Sequence, residues 1–119
     1  MKTAEIAEKL AAHCRQNNWE AAQKELYAND AVSIEQEEGP VFAKETRGLA
    51  AIREKGHKFA AMIEQVYSTE VSAPLVAGDA FALILSMDLK MKGQGRTKMT
   101  ELGVYVTKDG KIISEQFFN

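Results

Sequence analysis

The period of the hydrophobic pattern changes once along this chain, and that change limits the folds that the chain can adopt. Before Gln65 the apolar residues recur every three to four positions, as they do on one face of a helix. After Gln65 they alternate with polar residues, which is typical of strands with one buried face. Turn-forming residues divide this second part into four predicted strands; the turns are Gly78-Asp79, Gly93-Gln94-Gly95 and Asp109-Gly110. The pattern predicts helices followed by an antiparallel meander.

The first half of the chain predicts three amphipathic helices and one short strand. Thr3 and Asn18 are residues that cap helices, and the stripe from Leu49 through Ile52, Phe59 and Ile63 has helical spacing. The first two helices are expected to form an antiparallel hairpin. The predicted elements are a helix from Thr3 to near Gln16, a helix from Asn18 to Asn29-Asp30, a strand from Ala31 to Gln36, a loop from Glu37 to Arg47 and a third helix from Leu49.

The Asp109-Gly110 turn predicts the register of the last hairpin, because a two-residue turn needs the positive φ that Asp and Gly tolerate. It pairs Lys108 with Lys111. Hydrophobic matching then places Leu85 opposite Leu102, since a slip by one residue moves every side chain to the other face. The predicted apolar face holds Phe81, Leu83, Leu85, Met87, Leu89, Leu102, Val104, Val106, Ile113, Glu115 and Phe117. The opposite face is predicted to hold Glu101, Gly103, Tyr105, Ser114 and Gln116.

The size and composition of the chain indicate one globular domain over residues 1–119, because 119 residues can bury one core but not two. Hydrophobic residues make up 45% and charged residues 27%, as in ordinary globular proteins. The longest apolar run, Ala80 to Leu85, is far shorter than the about 20 residues of a membrane helix, so no membrane partner is expected. The lone Cys14 and a start without a signal-like segment favour the cytoplasm. A net charge of -2 gives no reason to expect nucleic acid.

Three passages of the chain resemble one superfamily. They are Trp19-Glu20-Ala21 through Tyr27-Ala28-Asn29-Asp30-Ala31, Gly48 to Glu54, and Asp109-Gly110-Lys111-Ile112 with Glu115 to Phe118. Together with the element order, they are similar to the nuclear transport factor 2-like proteins, which include SnoaL-like cyclases and ketosteroid isomerases. The resemblance implies an α+β, cystatin-like fold in which three helices pack on a curved antiparallel meander, shaped as a cone-like barrel.

The resemblance to the isomerases extends to some functional positions and not to others. It places their general base at Glu35 and a pocket tyrosine at Tyr27. The two donors of their oxyanion hole fall on Leu10 and Leu102, and a further pocket tyrosine falls on Gly56. Loss of such a donor costs about 3–4 kcal/mol of transition-state stabilisation. Steroid isomerisation by the same arrangement is therefore not expected.

Two carboxylates are the predicted catalytic residues. Glu35 could act as a base in a dry pocket, although Val32 and Ile34 are the apolar members of its strand and would turn Glu35 toward solvent if they faced the core. Glu115 lies between two apolar residues on the predicted inner wall. Because a buried unpaired carboxylate is costly, Glu115 is expected to be protonated, paired or at a cavity mouth. A structural pair with Arg53 or Lys58 is the alternative to a function.

The expected ligand is a small apolar molecule in a cavity between the helices and the sheet, and no cofactor or metal is expected. The two histidines and the acidic residues show none of the spacings of zinc or calcium sites. His57 could instead be a flank residue of the third helix, and the others could be core packing. The predicted ligand-binding residues are Trp19, Tyr27, His57, Met62, Leu85, Met87, Leu102 and Phe117.

The outer face of the predicted sheet is too apolar for a fully solvated surface, which favours a homodimer formed sheet to sheet, as the resemblance also implies. Its predicted apolar members are Ile84, Tyr105, Ile112 and Phe118. Two functions stay open at this point. One is a cofactor-free acid–base isomerase, cyclase or hydratase, and the other is a non-catalytic module that binds a metabolite or a protein.

Overall fold

The computed structural model describes residues 1–119 as three helices and seven strands. The helices are α1 (Thr3–Arg15), α2 (Trp19–Leu26) and α3 (Leu49–Met62). The strands are β1 (Tyr27–Ile34), β2 (Glu45–Arg47), β3 (Ile63–Val71), β4 (Leu75–Ala77), β5 (Ala80–Met91), β6 (Arg96–Lys108) and β7 (Lys111–Phe118). The three predicted helices are confirmed. β1 begins four residues before the predicted start at Ala31, and the predicted loop contains β2.

All seven strands belong to one sheet in the order β2-β1-β7-β6-β5-β3, with β4 also paired to β5. Neighbouring strands are antiparallel except β1 and β7, which are parallel. The segment before Gly78 forms two strands, β3 and β4, where the sequence predicted one. The predicted α+β class is confirmed, and the sheet is open, with β2 and β3 at its edges.

The helices cover one face of this sheet, which we call the inner face. α1 buries a stripe made of Ile6, Ala7, Leu10, Ala11 and Cys14. This stripe packs in a core cluster with the β5 and β6 side chains Phe81, Leu83 and Tyr105. A smaller cluster of Met87, Leu89 and Met91 packs against α3. The helices are all too short and too polar to cross a lipid bilayer.

The predicted caps of the first two helices are wrong in detail. Lys2, and not Thr3, occupies the N-cap position of α1, and Thr3 contacts the Thr107 hydroxyl at 2.7 Å. Asn18 does occupy the N-cap position of α2, but its side chain makes no capping hydrogen bond. Tertiary packing of the apolar stripes, rather than capping, therefore stabilises these helices.

A β-bulge in β7 makes the predicted register of the sheet wrong. Lys108 pairs with Lys111, as the Asp109-Gly110 turn predicted, but the register shifts between Val106 and Thr107. Thr107 pairs with Ile112 and Val106 with Ser114, so one extra residue, Ile113, is inserted in β7. Such an insertion reverses the face taken by every residue beyond it relative to the partner strand.

The bulge exchanges the two faces of β6. Glu115 and Phe117 stay on the inner face as predicted, but they face Tyr105 and Gly103 instead of Val104 and Leu102. Leu85 lies opposite Glu101 and not opposite Leu102. The inner face of β5 is nevertheless as predicted, since Phe81, Leu83, Met87 and Leu89 are all buried. Tyr105 and Ile112, predicted on the outer face, are buried as well.

Candidate functional site

One row of side chains crosses four neighbouring strands on the inner face. Ser33 of β1 lies beside Glu115 of β7 in the sheet. Glu115 lies beside Tyr105 of β6, which lies beside Phe81 of β5. The exposed fraction of each of these residues is 6% or less, so the row places a carboxyl group and two hydroxyl groups inside the protein.

Glu115 is held by two hydroxyl groups. The Tyr27 hydroxyl donates a hydrogen bond to Oε1, and Ser33 Oγ donates one to Oε2 at 2.7 Å. Burial raises the pKa of Glu115 above its ordinary value, and these two hydrogen bonds oppose that rise. The predicted structural pair with Arg53 or Lys58 is wrong, because Arg53 forms its ion pair with Glu20 on α2.

Lys55 of α3 connects this row to Glu35. Its ammonium donates one hydrogen bond to Ser33 Oγ and one to Glu35 Oε1, both at 2.9 Å. It also lies 5.8 Å from the centre of the Phe117 ring. Since Ser33 in turn donates to Glu115, a chain of polar contacts runs from Glu35 through Lys55 to Glu115.

Glu35 lies on the inner face because side chains along β1 point alternately to the two faces of the sheet. Ala31 and Ser33 are fully buried, whereas Val32 and Ile34 lie on the other side of the strand and are half-buried. The expectation that the two β-branched residues face the core is therefore wrong. Glu35, two residues beyond Ser33, lies with its side chain 29% exposed beside Lys55.

Glu101 of β6 is a site residue that the sequence prediction placed on the outer face. It lies on the inner face opposite Leu85. Burial, with the charges of Glu35 and Glu115, raises the pKa of Glu101 to about 7, and Lys55 opposes that rise. No hydrogen bond stabilises either form of the Glu101 carboxyl group. A carboxyl group with this pKa is present in both protonation states near neutral pH, which is the condition for general acid–base work.

The predicted ligand-binding residues fall into three groups. Met62, Leu85 and Phe117 are half-buried next to the inner face, and Trp19 packs against both core clusters. Tyr27 and Met87 are 6% exposed, and Tyr27 is engaged with Glu115. The remaining two residues lie outside the inner face.

Leu102 and His57 are the two placements that the structure contradicts. Leu102 lies on the outer face opposite Ile84, with 38% of its surface exposed, because the β7 bulge reverses the face of β6. The side chain of His57 is 56% exposed and lies 3.5 Å from Glu20 and 3.9 Å from Glu54. It is a flank residue of α3, the alternative that the sequence left open.

Two surface pockets lie away from the carboxyl groups. One, of about 590 Å³, is formed by residues 1–4 with the β4–β5 and β6–β7 turns. The other, of about 300 Å³, lies between α1 and α2 and includes His13 and Glu25. Neither pocket includes Glu35, Glu101 or Glu115.

The chain thus folds as three helices on an open sheet, with carboxyl groups on the inner face. The chain belongs to the SnoaL-like domain family, which matches residues 1–119. The predicted resemblance is thereby confirmed, and known structures with this fold include ketosteroid isomerase-like and cystatin-like proteins. No curated protein matches the sequence.

Solved structures extend this likeness over the whole chain. The chain is 33% identical to a candidate SnoaL-like polyketide cyclase from Mesorhizobium loti, with 100% of both chains covered and a TM-score of 0.91. It is 18% identical to a protein of unknown function with a cystatin-like fold from Xanthomonas campestris, with 99% of this chain and 90% of that chain covered and a TM-score of 0.83. TerC, which was co-crystallized with polyporic acid, is 13% identical, with 98% and 89% covered and a TM-score of 0.77. The last two likenesses show the fold alone.

Proposed function

We propose that this protein is a cofactor-free acid–base enzyme that moves a proton on a small, mainly apolar ligand carrying a carbonyl group, as an isomerase or cyclase does. The observation that carries this proposal is Glu101, a carboxyl group on the inner face with no hydrogen bond to hold it and with a pKa of about 7. In its ionised form Glu101 takes a proton from the carbon next to the carbonyl, and the electrons of that C–H bond move toward the carbonyl oxygen. In its protonated form it returns the proton.

The other two carboxyl groups have fixed partners and serve this proton exchange indirectly. Glu35 is paired with Lys55, and Glu115 accepts hydrogen bonds from Tyr27 and Ser33. Burial raises the pKa of Glu101, and the charges of Glu35 and Glu115 raise it further. The sequence prediction assigned the base to Glu35 and the acid or polar anchor to Glu115. The geometry favours Glu101 as the exchanging group and Glu115 as the anchor.

Half-buried side chains around Glu101 support a ligand position at the inner face. Lys55 is 17% exposed and Glu35 is 29% exposed at the side chain, and Leu85 and Phe117 are also only half-buried. We propose that the ligand contacts these partly exposed side chains. The likeness to a candidate polyketide cyclase supports the same ligand class.

Exchange of carbon-bound protons with solvent tests this function without knowledge of the natural substrate. We expect the protein to accelerate exchange of the methyl protons of 2-acetylnaphthalene in D₂O, followed by ¹H NMR, with a rate that rises as the pH passes about 7. Glu101→Gln should lower the enzymatic rate by about 10²–10⁴-fold. Glu70→Gln is the matched control, because Glu70 is an exposed strand residue opposite Ser86. Exchange at the rate of buffer alone, or equal rates for wild type and Glu101→Gln, would contradict the proposal.

The non-catalytic alternative is favoured by one observation. Leu10, at a position where the isomerases have a donor, is 2% exposed in the core and supplies no polar group. In that case the inner face binds a ligand without changing it. The exchange experiment separates the two functions, because a binding module would bind 2-acetylnaphthalene without accelerating exchange of its protons.

We also propose that two copies of the chain associate through the outer face of the sheet. Ile84, Leu102 and Phe118 form a row across β5, β6 and β7, and their exposed fractions are 47%, 38% and 38%. The neighbouring pairs on β5 and β6 carry no charge; they are Ser86 with Thr100, Ala82 with Val104 and Ala80 with Val106. A second copy of the same patch could cover this surface about a two-fold axis without burying an unpaired charge.

A further inference from the structure

The Tyr105 side chain is buried, and its hydroxyl makes no hydrogen bond within the protein. Tyr105 is 4% exposed, its ring is stacked on Phe81 with 4.8 Å between ring centres, and the Phe117 ring is perpendicular to it with 6.3 Å between ring centres. No hydrogen bond to the hydroxyl contributes to the high pKa of Tyr105, which burial and the charge of Glu115 produce. The hydroxyl oxygen is not fully enclosed, because Arg53 Nε is the one fully buried side-chain nitrogen or oxygen atom that lacks a hydrogen-bond partner. The Tyr105 hydroxyl is therefore free to donate a hydrogen bond to a molecule at the inner face.

Gly103 determines where this hydroxyl lies. A Cβ atom at position 103 would come within 2.8 Å of both Cε1 and the hydroxyl oxygen of Tyr105. The Tyr105 ring therefore lies over Gly103, along the strand in the direction of Glu101. Positions 101, 103 and 105 share the inner face, so the ring directs its hydroxyl toward the part of the face that holds Glu101.

From this arrangement we infer that Tyr105 is a ligand-binding residue, whose hydroxyl, placed over Gly103, donates a hydrogen bond to a neutral carbonyl oxygen of the ligand beside Glu101. This inference rests on the proposed function and names the group that would orient its substrate. A donor at the carbonyl oxygen and a proton-exchanging carboxyl group near the adjacent carbon are complementary. Tyr105 thus supplies a donor from a strand, whereas the positions carried over from the isomerases hold Leu10 and Leu102.

The charges around the site favour a neutral ligand over a carboxylate. The site holds three carboxyl groups and one ammonium group. The carboxyl groups belong to Glu35, Glu101 and Glu115, and the ammonium group of Lys55 is already paired with Glu35. An anionic ligand would enter next to at least one uncompensated negative charge at a place of reduced solvent screening. A ketone accepts the same hydrogen bond from Tyr105 without this repulsion.

Three ligands of nearly the same shape test the inference. They are 2-acetylnaphthalene, which is a ketone, 2-isopropenylnaphthalene, which lacks an acceptor, and 2-naphthoate, which is an anion. We expect the ketone to bind most tightly and its ¹³C-labelled carbonyl signal to move downfield on binding. Tyr105→Phe, which keeps the ring on Phe81, should weaken ketone binding roughly threefold to tenfold and remove the downfield shift, while hydrocarbon binding is unchanged. Gly103→Ala should act in the same direction by displacing the ring.

Tyr67→Phe is the matched control, because Tyr67 lies on β3, is 39% exposed and packs on Arg96 instead of the site. It should change neither affinity nor the carbonyl signal. Equal affinity and an equal carbonyl signal for wild type and Tyr105→Phe would overturn the inference, as would tighter binding of 2-naphthoate or no saturable ketone binding at all. A ketone that binds with the downfield shift but exchanges no protons would refute the proposed catalysis and leave the role of Tyr105 supported. Proton exchange that requires Glu101 but not Tyr105 would support the proposed catalysis and refute the role of Tyr105.

Discussion

Lys55 and Glu35 form a part-buried ion pair, with 2.9 Å between the ammonium nitrogen and the carboxylate oxygen. The pair lies between helix α3 and strand β1, and Lys55 also lowers the pKa of Glu101. Burial and the charges of Glu35 and Glu115 raise the pKa of Glu101, and Lys55 is the positive charge that lowers it. The ion pair therefore tunes a proton-exchanging group that it does not contact through a hydrogen bond.

Lys55→Gln should raise the pKa of Glu101 above about 7, because the substitution removes the one cation that opposes burial and the charges of Glu35 and Glu115. The pH profile of any proton exchange should move to higher pH with it. An NMR titration of the ¹³C-labelled Glu101 side chain measures the change. Lys58→Gln, at an exposed position three residues along the same helix, is the control and should leave the titration unchanged. An unchanged or lower pKa in Lys55→Gln would show that Lys55 does not act on Glu101.

Glu101→Gln should become more stable relative to wild type as the pH rises. The folded-state pKa of Glu101, about 7, lies above its ordinary value of 4.5, so the folded protein holds this proton more tightly than the unfolded chain. The stability that the protonated Glu101 contributes to the wild-type protein is fully present below pH 4.5 and is lost as the pH rises to about 7. Between pH 4.5 and pH 8 the difference in free energy of unfolding should grow by on the order of 2 kcal/mol in favour of the variant.

Urea unfolding of both proteins at the two pH values measures this difference. Glu70→Gln serves as the reference for loss of a carboxylate at an exposed strand position. A difference that stays constant from pH 4.5 to pH 8 would mean that Glu101 titrates in the folded protein as it does in the unfolded chain.

The fold could be predicted from the sequence because the patterns that indicate it involve residues close together in the chain. The change of hydrophobic period, the apolar stripes of the helices and the Asp109-Gly110 turn each depend on a few neighbouring residues, and all of them correspond to elements of the structure. The buried face of β5 was accessible for the same reason. Apolar residues alternate along β5 from Phe81 to Leu89, so this strand has one apolar face whichever strand pairs with it.

The candidate site was only partly accessible, because it depends on one inserted residue. No local pattern marks the bulge at Ile113, and the alternation of β6 favours the wrong face, since Leu102, Val104 and Val106 are more apolar than Glu101 and Gly103. Glu101 could be placed only through the pairing of β6 with both neighbours. Glu115 was predicted on the inner face because it alternates with Ile113 and Phe117. Its partners Tyr27 and Ser33 could not be predicted, because they lie more than 80 positions away in the chain.

Tyr27→Phe should destabilise the protein by about 1–3 kcal/mol, because it removes a hydrogen bond to the buried Glu115 carboxyl group without changing the shape of the ring. The pKa of Glu115 should rise further, since the Tyr27 hydroxyl lowers it. Urea unfolding measures the loss of stability. Tyr67→Phe removes a hydroxyl from a ring that is 39% exposed and should change the stability little. Equal losses in the two variants would show that the contact between Tyr27 and Glu115 contributes no stability.

Cys14 should be inert in the folded protein. Burial, together with the charge of Glu115, raises the pKa of Cys14 to about 12, and the thiolate is the reactive form. At pH 8 the reaction with 5,5′-dithiobis(2-nitrobenzoate) should therefore be at least about a thousandfold slower than in urea-unfolded protein. The absorbance of the released thiolate follows both rates. Comparable rates in native and unfolded protein would contradict the burial of this residue under native conditions.

Leu102→Glu should convert the proposed dimer to a single chain. The substitution places a carboxylate at the centre of the row formed with Ile84 and Phe118, and in a two-fold dimer each copy would bring one charge to the same apolar patch. Sedimentation equilibrium should give twice 13.2 kDa for wild type and 13.2 kDa for the variant, with unchanged circular dichroism. Val41→Glu introduces the same charge at a residue that is 53% exposed between β1 and β2 and should leave the dimer intact. A wild-type protein that sediments as a single chain at high concentration, or a Leu102→Glu variant that still dimerises, would exclude the outer face as the interface.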